Sequence, residues 1–129
     1  MILGVDARVA FEHHRAGVGN YCAGLLRALP AVAPDIHLRC YVAEPSVPAT
    51  SDDAGLSPDL IGAELRVLPR GRAWTQRILA HELRRDPPDV FFSPVMQLPL
   101  RCPCPAIATV HDLAFLQFPR HFTWSRRVR

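Results

Sequence analysis

The sequence predicts an α/β domain, an open parallel β-sheet with helices on its flanks. Three observations carry this expectation. Short runs that are apolar on consecutive positions read as strands buried on both faces, the pattern of a parallel sheet covered by helices. These runs alternate with stretches of helical periodicity, the order expected of right-handed βαβ units. Several of the strands end in polar or glycine-rich segments, which is where such sheets bind ligands. With 129 residues, 49% of them hydrophobic and 21% charged, the chain can bury a core without a disulfide or metal staple. Its thirteen prolines keep the regular elements short.

The first strand is Ile2-Leu3-Gly4-Val5-Asp6, followed by a polar loop from Ala7 to Ala16 that holds the adjacent His13 and His14. Gly17-Val18-Gly19 opens a helix whose apolar stripe is Val18, Tyr21, Cys22, Leu25, Leu26 and Leu29, stopping near Pro30 and Pro34. A second strand spans Ile36 to Ala43, and Glu44 to Ser57 has the composition of a loop. Glu64 to Leu68 reads as the third strand, broken by Pro69-Arg70-Gly71. Residues 73–85 form a second helix with Trp74, Ile78, Leu79 and Leu83 inward and Arg77, Arg84 and Arg85 outward, ended by Asp86-Pro87-Pro88. Asp89 to Phe92 and Ala106 to Val110 are the fourth and fifth strands, joined by a proline-rich loop, and Phe118 to Arg129 reads as a loop feeding a helix at Thr123 or Ser125.

Net charge is +3, yet Arg120, Arg126, Arg127 and Arg129 sit in the last ten residues, and the remainder carries eleven arginines against twelve acids. A uniformly basic nucleic-acid-binding surface is therefore not indicated. The terminal arginines read as a solvated helix face, or as a peripheral contact with an anionic membrane surface. No apolar run approaches the ~18 residues of a membrane span, and Met1 leads straight into a strand rather than a secretory leader, so the expectation is a cytoplasmic protein. All fifteen basic residues are Arg, a bias of coding composition and not of any ligand. Cys102 and Cys104 flank a single proline and lack a second matching pair, so the four cysteines are expected as reduced core or loop thiols and no metal site is expected.

The residues placed for chemistry follow the strands: Asp6 and Arg8, the Gly17–Gly19 loop, Ser93-Pro94, and His111-Asp112. Glycines at a helix start let the backbone approach a ligand, and the free N–H groups there favour a phosphate. Their spacing is neither a dinucleotide fingerprint nor a P-loop, and a plain glycine turn is the competing reading. A histidine at a strand end can bond a sugar hydroxyl or stabilise developing charge, and the neighbouring acid can accept from hydroxyls. Against this, Asp112 could simply cap a turn and Asp6 its own loop. A Ser-His-Asp hydrolase fits poorly, because no nucleophile elbow exists and Ser93 precedes a proline.

Ile2 to Arg8, then Gly17-Val18-Gly19-Asn20-Tyr21 opening a Leu-rich helix, then Asp89-Val90-Phe91-Phe92-Ser93-Pro94, then Thr109-Val110-His111-Asp112-Leu113 with Phe118-Pro119 beyond, form an ordered set. It resembles the N-terminal domain of family 4 glycosyltransferases, most closely the mannosyltransferase-like branch that builds bacterial polysaccharides. The resemblance runs from Met1 to about Phe122. It implies a GT-B fold, two Rossmann-like domains facing across a cleft, of which residues 1–129 would be an N-terminal domain incomplete at its C-terminus, without the donor-binding C-terminal domain. Such enzymes retain anomeric configuration without a metal, moving a hexose such as mannose from a GDP- or UDP-sugar to a glycan or lipid-linked acceptor.

The resemblance further implies that Gly17, Val18 and Gly19 face the donor's phosphates, that His111 and Asp112 are catalytic, and that Asp6, Arg8 and Ser93 line the acceptor side. Asn20 stands where many relatives carry Arg, and Phe92 where His is common before Ser-Pro, so a polar role at those two positions is absent or altered. The chain alone is expected to be inactive, with apolar sheet surface exposed. The alternative is a stand-alone nucleotide- or anion-binding α/β module.

Overall fold

The computed structural model describes residues 1–12, 15–44 and 62–113. The expectations for His13, His14, the loop from Pro45 to Ser57 and the segment after Leu113 lie outside the described residues. Among the described residues the elements are β1 (Ile2–Asp6), a 3₁₀ turn (Arg8–Ala10), α1 (Gly17–Val32), β2 (His37–Ala43), β3 (Glu64–Leu68), a π-helical turn (Thr75–Leu79) running directly into α2 (Ala80–Arg85), β4 (Val90–Ser93) and β5 (Ala106–Ala108). The five strands form one sheet in the order β3-β2-β1-β4-β5, and every pairing is parallel. The protein is thus an α/β domain with a Rossmann-like sheet.

Side-chain alternation along the strands divides the core in two. On one face Val5, Leu38, Cys40, Val42 and Phe92 pack against Cys22, Ala23 and Leu26 of α1 and against Ala10 and Phe11 beside the 3₁₀ turn. On the other, Tyr41, Phe91, Ala43 and Leu68 pack against Trp74, Leu79 and Leu83. Consecutive apolar positions in β1, β2 and β4 follow from this double cover. Phe92 fills the α1 face.

β1 is central, and its second face is closed by contact with a residue that has no side chain. A Cβ on Gly4 would lie 2.8 Å from Pro88 Cγ and 3.0 Å from Tyr41 Cε2. Glycine here lets Tyr41 and the Pro87-Pro88 bend close over the strand. Asp89 completes that bend by accepting the Ile2 N–H at 2.6 Å on its carboxylate.

At the β2–β3 side two arginines and three carboxylates join the sheet to α2. Arg39 donates to Glu64 at 2.7 Å and pairs with Asp86 at 3.2 Å. Arg66 pairs with Glu64, with Asp86 at 2.8 Å and with Glu82 at 3.4 Å. Arg39 is buried, and burial is the largest single influence on it, disfavouring its charge; the hydrogen bond to Glu64, its attraction to the same carboxylate and the Tyr41 hydroxyl together outweigh that cost and hold its pKa above the ordinary value. The same bond from Arg39 is the main cause holding the Glu64 carboxyl below its ordinary 4.5, partial burial opposing and Arg66 assisting.

Several boundaries differ from the sequence expectation for local reasons. Helix α1 passes through Pro30 and ends at Val32, with Ala33 N–H closing on the Leu29 carbonyl at 2.8 Å. Proline that close to a helix end removes one bond while the apolar stripe before it stays packed. Helix 73–85 starts at Trp74, because Ala73 adopts a left-handed φ of 53° and its carbonyl receives the N–H groups of both Gln76 and Arg77. β5 ends at Ala108 rather than Val110. β4 and β5 are joined without a helix, and the Gln76 side chain pins that crossover by donating to the Leu98 carbonyl and accepting from the Leu100 N–H, both at 2.9 Å. Ile107 of β5 and Val110 just beyond it are 56% and 51% exposed, apolar side chains that lie open among the described residues.

Replacing Gly4 by Ala should lower the stability of the fold by about 1–3 kcal/mol through overpacking against Pro88 and Tyr41, read as a reduced urea midpoint at unchanged slope. A second expectation concerns acid. Because Glu64 titrates lower in the folded chain than in the unfolded one, its contribution is complete above 4.5 and disappears as pH falls through the folded value. Thermal midpoints followed from about pH 6 to about pH 3 should show that loss, and Glu64→Gln should remove part of the slope.

Candidate functional site

In this strand order the chain leaves β1 toward β2 over one face and reaches β4 from β3 over the other, so a crevice opens at the C-terminal ends of β1 and β4. Asp6 and Ser93 stand side by side there, one step past the Val5–Phe92 register pair. Two groups of side chains gather at this edge, one on each face.

On the α2 face, Asp6 is 2% exposed and its carboxylate takes the Arg8 guanidinium in a two-pronged pair, Nε to Oδ1 at 2.9 Å and Nη2 to Oδ2 at 2.7 Å. Nη2 also donates to Thr75 Oγ1 at 3.1 Å, and the guanidinium carbon lies 3.9 Å from the ring centre of Trp74. The Trp74 indole is itself fixed by a 3.1 Å hydrogen bond to the Pro69 carbonyl. A planar guanidinium held by a carboxylate fork, a hydroxyl and an aromatic face has little rotational freedom left. Nη1 has no hydrogen-bond partner among the described residues, and Arg8, 25% exposed, borders a cleft of about 800 Å³. Arg72, Trp74 and Thr75 form one wall of that cleft, and Met96 and Leu98 of the β4–β5 crossover form the other. A neighbouring hollow of about 400 Å³ shares Arg8 and Trp74 and adds Arg70 and Glu12. Cation and apolar wall together suit a ligand with an anionic or hydroxyl-rich head and a less polar body.

On the α1 face, the first turn of α1 starts at Ala16, which offers no capping side chain, and contains no acid. The first bond of the helix is from Asn20 N–H to the Ala16 carbonyl at 3.0 Å, so the N–H groups of Gly17, Val18 and Gly19 have no partner within the helix. Gly17 is exposed with nothing within 4 Å of its would-be Cβ. One turn along, the Tyr21 ring meets His111 edge-to-face at 5.2 Å, and its hydroxyl lies 3.4 Å from Thr109 Oγ1. His111 Nε2 is 2.7 Å from the Pro94 carbonyl. A carbonyl only accepts, so Nε2 carries the proton, and a neutral His111 presents Nδ1 as an acceptor. The structure therefore brings the helix start, the end of β4 and the end of β5 together through Tyr21 and His111.

The residues expected from the sequence divide as follows. Gly17 is open, Val18 is half-buried, and His111 and Asp112 are exposed at this edge. Gly19 is small for a different reason than ligand approach: its Cβ would lie 2.5 Å from the Val9 carbonyl oxygen, so it lets α1 dock on the 3₁₀ turn. Ser93 does not line the cleft. It is fully buried and its hydroxyl donates to the Val95 carbonyl at 2.9 Å, shaping the turn after β4. Asp6 is too buried to contact a ligand broadly and acts by orienting Arg8, whose own N–H it also approaches at 3.4 Å. Tyr21 was expected inside with the apolar stripe and is 42% exposed. Trp74, expected only as core, and Thr75 are additions of the tertiary structure; the Pro69-Arg70-Gly71 break after β3, at the same sheet edge, was the signal for that region.

Removing one partner of the Asp6–Arg8 pair leaves the other stranded, so Arg8→Ala should destabilise the fold toward the low end of the about 3–5 kcal/mol seen for broken buried pairs, discounted because Arg8 is partly exposed. The double variant Asp6→Asn/Arg8→Ala should regain part of that loss in a denaturation cycle; equal instability of single and double variants would contradict the arrangement. No protein-family model, no curated protein and no solved structure matches this chain.

Proposed function

We propose that this chain is the acceptor-side, N-terminal domain of a retaining glycosyltransferase of the GT-B fold, resembling family 4, which moves a hexose from a nucleotide-sugar to a glycan or lipid-linked acceptor. The observation that carries the reading is the joining of the uncapped, acid-free first turn of α1 to His111, through Tyr21, at the C-terminal edge of a parallel sheet. A departing nucleoside diphosphate gains negative charge as the glycosidic bond breaks, and backbone N–H groups fixed at a helix start stabilise such charge without reorganising. His111, its Nε2 proton held by Pro94, would accept a hydrogen bond from a hydroxyl of the transferred sugar at Nδ1. Arg8 would orient the acceptor through Nη1 in the cleft beside Trp74 and Met96, with Asp6 fixing Arg8 and Asp112 near the sugar. In this reading most of the donor is held by a second domain, and the chemistry needs no metal.

The same uncapped helix start also favours a second reading, a small module that binds a nucleotide or anion by itself. Calorimetry of the 129-residue chain separates the two: the module reading requires stoichiometric binding of a nucleoside diphosphate, and the transferase reading requires weak or no binding. In a full-length enzyme carrying this domain, His111→Ala should lower kcat about 10²-fold or more at an unchanged thermal midpoint, and Gly17→Val should weaken both turnover and donor binding. Full transfer of hexose from GDP- and UDP-sugars by both variants would overturn the site assignment.

A further inference from the structure

The β4–β5 crossover, whose Met96 and Leu98 wall the cleft, carries a second chemical feature. Cys102 Sγ and Cys104 Sγ lie 3.8 Å apart, across a single proline whose ring fixes the backbone between them. Both are partly exposed and rest on the cluster that contains Phe91, Trp74 and Leu83, beside Leu98. Cys22 and Cys40 are fully buried on the opposite face of the sheet, and burial pushes each of their thiols up to about 12. The chain thus holds two inert core thiols and one adjacent, reachable pair.

We propose that Cys102 and Cys104 are a dithiol site that low-molecular-weight disulfides oxidise to an intrachain disulfide, closing the foot of the β4–β5 crossover. The sulfurs are already in contact at 3.8 Å, and they must close to the about 2.05 Å of an S–S bond. In the first step the Cys102 thiolate attacks one sulfur of oxidised glutathione, forming a mixed disulfide and releasing one glutathione thiolate, which takes up a proton. In the second, the Cys104 thiolate attacks the Cys102 sulfur, forming the Cys102–Cys104 bond and releasing the second glutathione. The protein loses two protons and two electrons, and the glutathione disulfide gains them. Burial, then the neighbouring Cys102 sulfur, pushes the Cys104 thiol up to about 11, so the second, ring-closing step is slow at neutral pH and faster in alkali. A ring closed over one residue has little freedom to reach ideal geometry, the property of disulfides that are readily reduced again. The consequence falls on the cleft wall: Leu98 is pinned by Gln76 at one end of the crossover, and the disulfide would fix the other end.

The experiment treats the reduced, folded full chain with oxidised glutathione, blocks remaining thiols after unfolding, and maps the peptides by mass spectrometry. The expected result is loss of two of the four thiols, a Cys102–Cys104 link with no retained glutathione, and full recovery with dithiothreitol. Closure of the mixed disulfide should quicken about tenfold per pH unit below the raised Cys104 pKa, and Cys104→Ser should halt with one glutathione on Cys102. Four free thiols, a stable glutathione adduct on the unsubstituted chain, or a link that includes Cys22 or Cys40 would each overturn the proposal.

Discussion

The close packing of β1 between two layers is the constraint on which the rest of the domain depends. The strand pairs with β2 on one side and β4 on the other, Val5 faces the α1 layer, and Gly4 admits Pro88 and Tyr41 from the opposite layer. Because the second layer approaches this near, the turn before β4 falls directly over the sheet, and the C-terminal ends of β1 and β4 emerge together. The crevice and the Asp6–Arg8–Thr75 arrangement are products of that alignment. A bulkier residue at position 4 would disturb the junction at the opposite end of the same strand.

Polar groups do different work at the two ends of the sheet. Near the β2–β3 side, Arg39 is shared between Glu64 of β3 and Asp86 at the end of α2, and Arg66 among these two and Glu82 of α2, which ties the helix to the sheet. At the crevice, Asp6 is buried and Arg8 is not, so the pair holds a cation at a surface instead of locking two elements together. Local backbone cost accompanies this: Ala73, on the wall of the same cleft, is held in the left-handed region that alanine seldom adopts. Non-ideal conformations of this kind are most often tolerated where a surface is shaped for a ligand.

The strands were legible because their apolar runs are continuous, and the limits of β1 and β3 followed directly from the residues. Helix boundaries were less so. Helix α1 ends at Val32, between the two prolines that mark its stop, while Pro30 itself stays inside its last turn, and the π-helical turn from Thr75 to Leu79 has no signature in the periodicity of residues 73–85. At the site, His111, Gly17 and Arg8 stood out as residues that follow strands. Ser93 stood out by the same logic and was misplaced, since position after a strand does not say whether a hydroxyl points outward or turns back to bond its own loop, as it does to Val95.

The sequence by itself determined the class of fold, the number of described strands and their succession along the chain, and the edge of the sheet at which polar residues collect, because hydrophobic periodicity and the direction of parallel strands are local or nearly local properties. Tertiary structure alone decided which residues share a site. Tyr21 meets His111 across ninety positions of sequence, Arg8 meets Thr75 across sixty-seven, and Gly19 owes its size to the carbonyl of Val9. Such meetings depend on how two layers stack on one sheet, a relation between distant segments that no window of sequence contains.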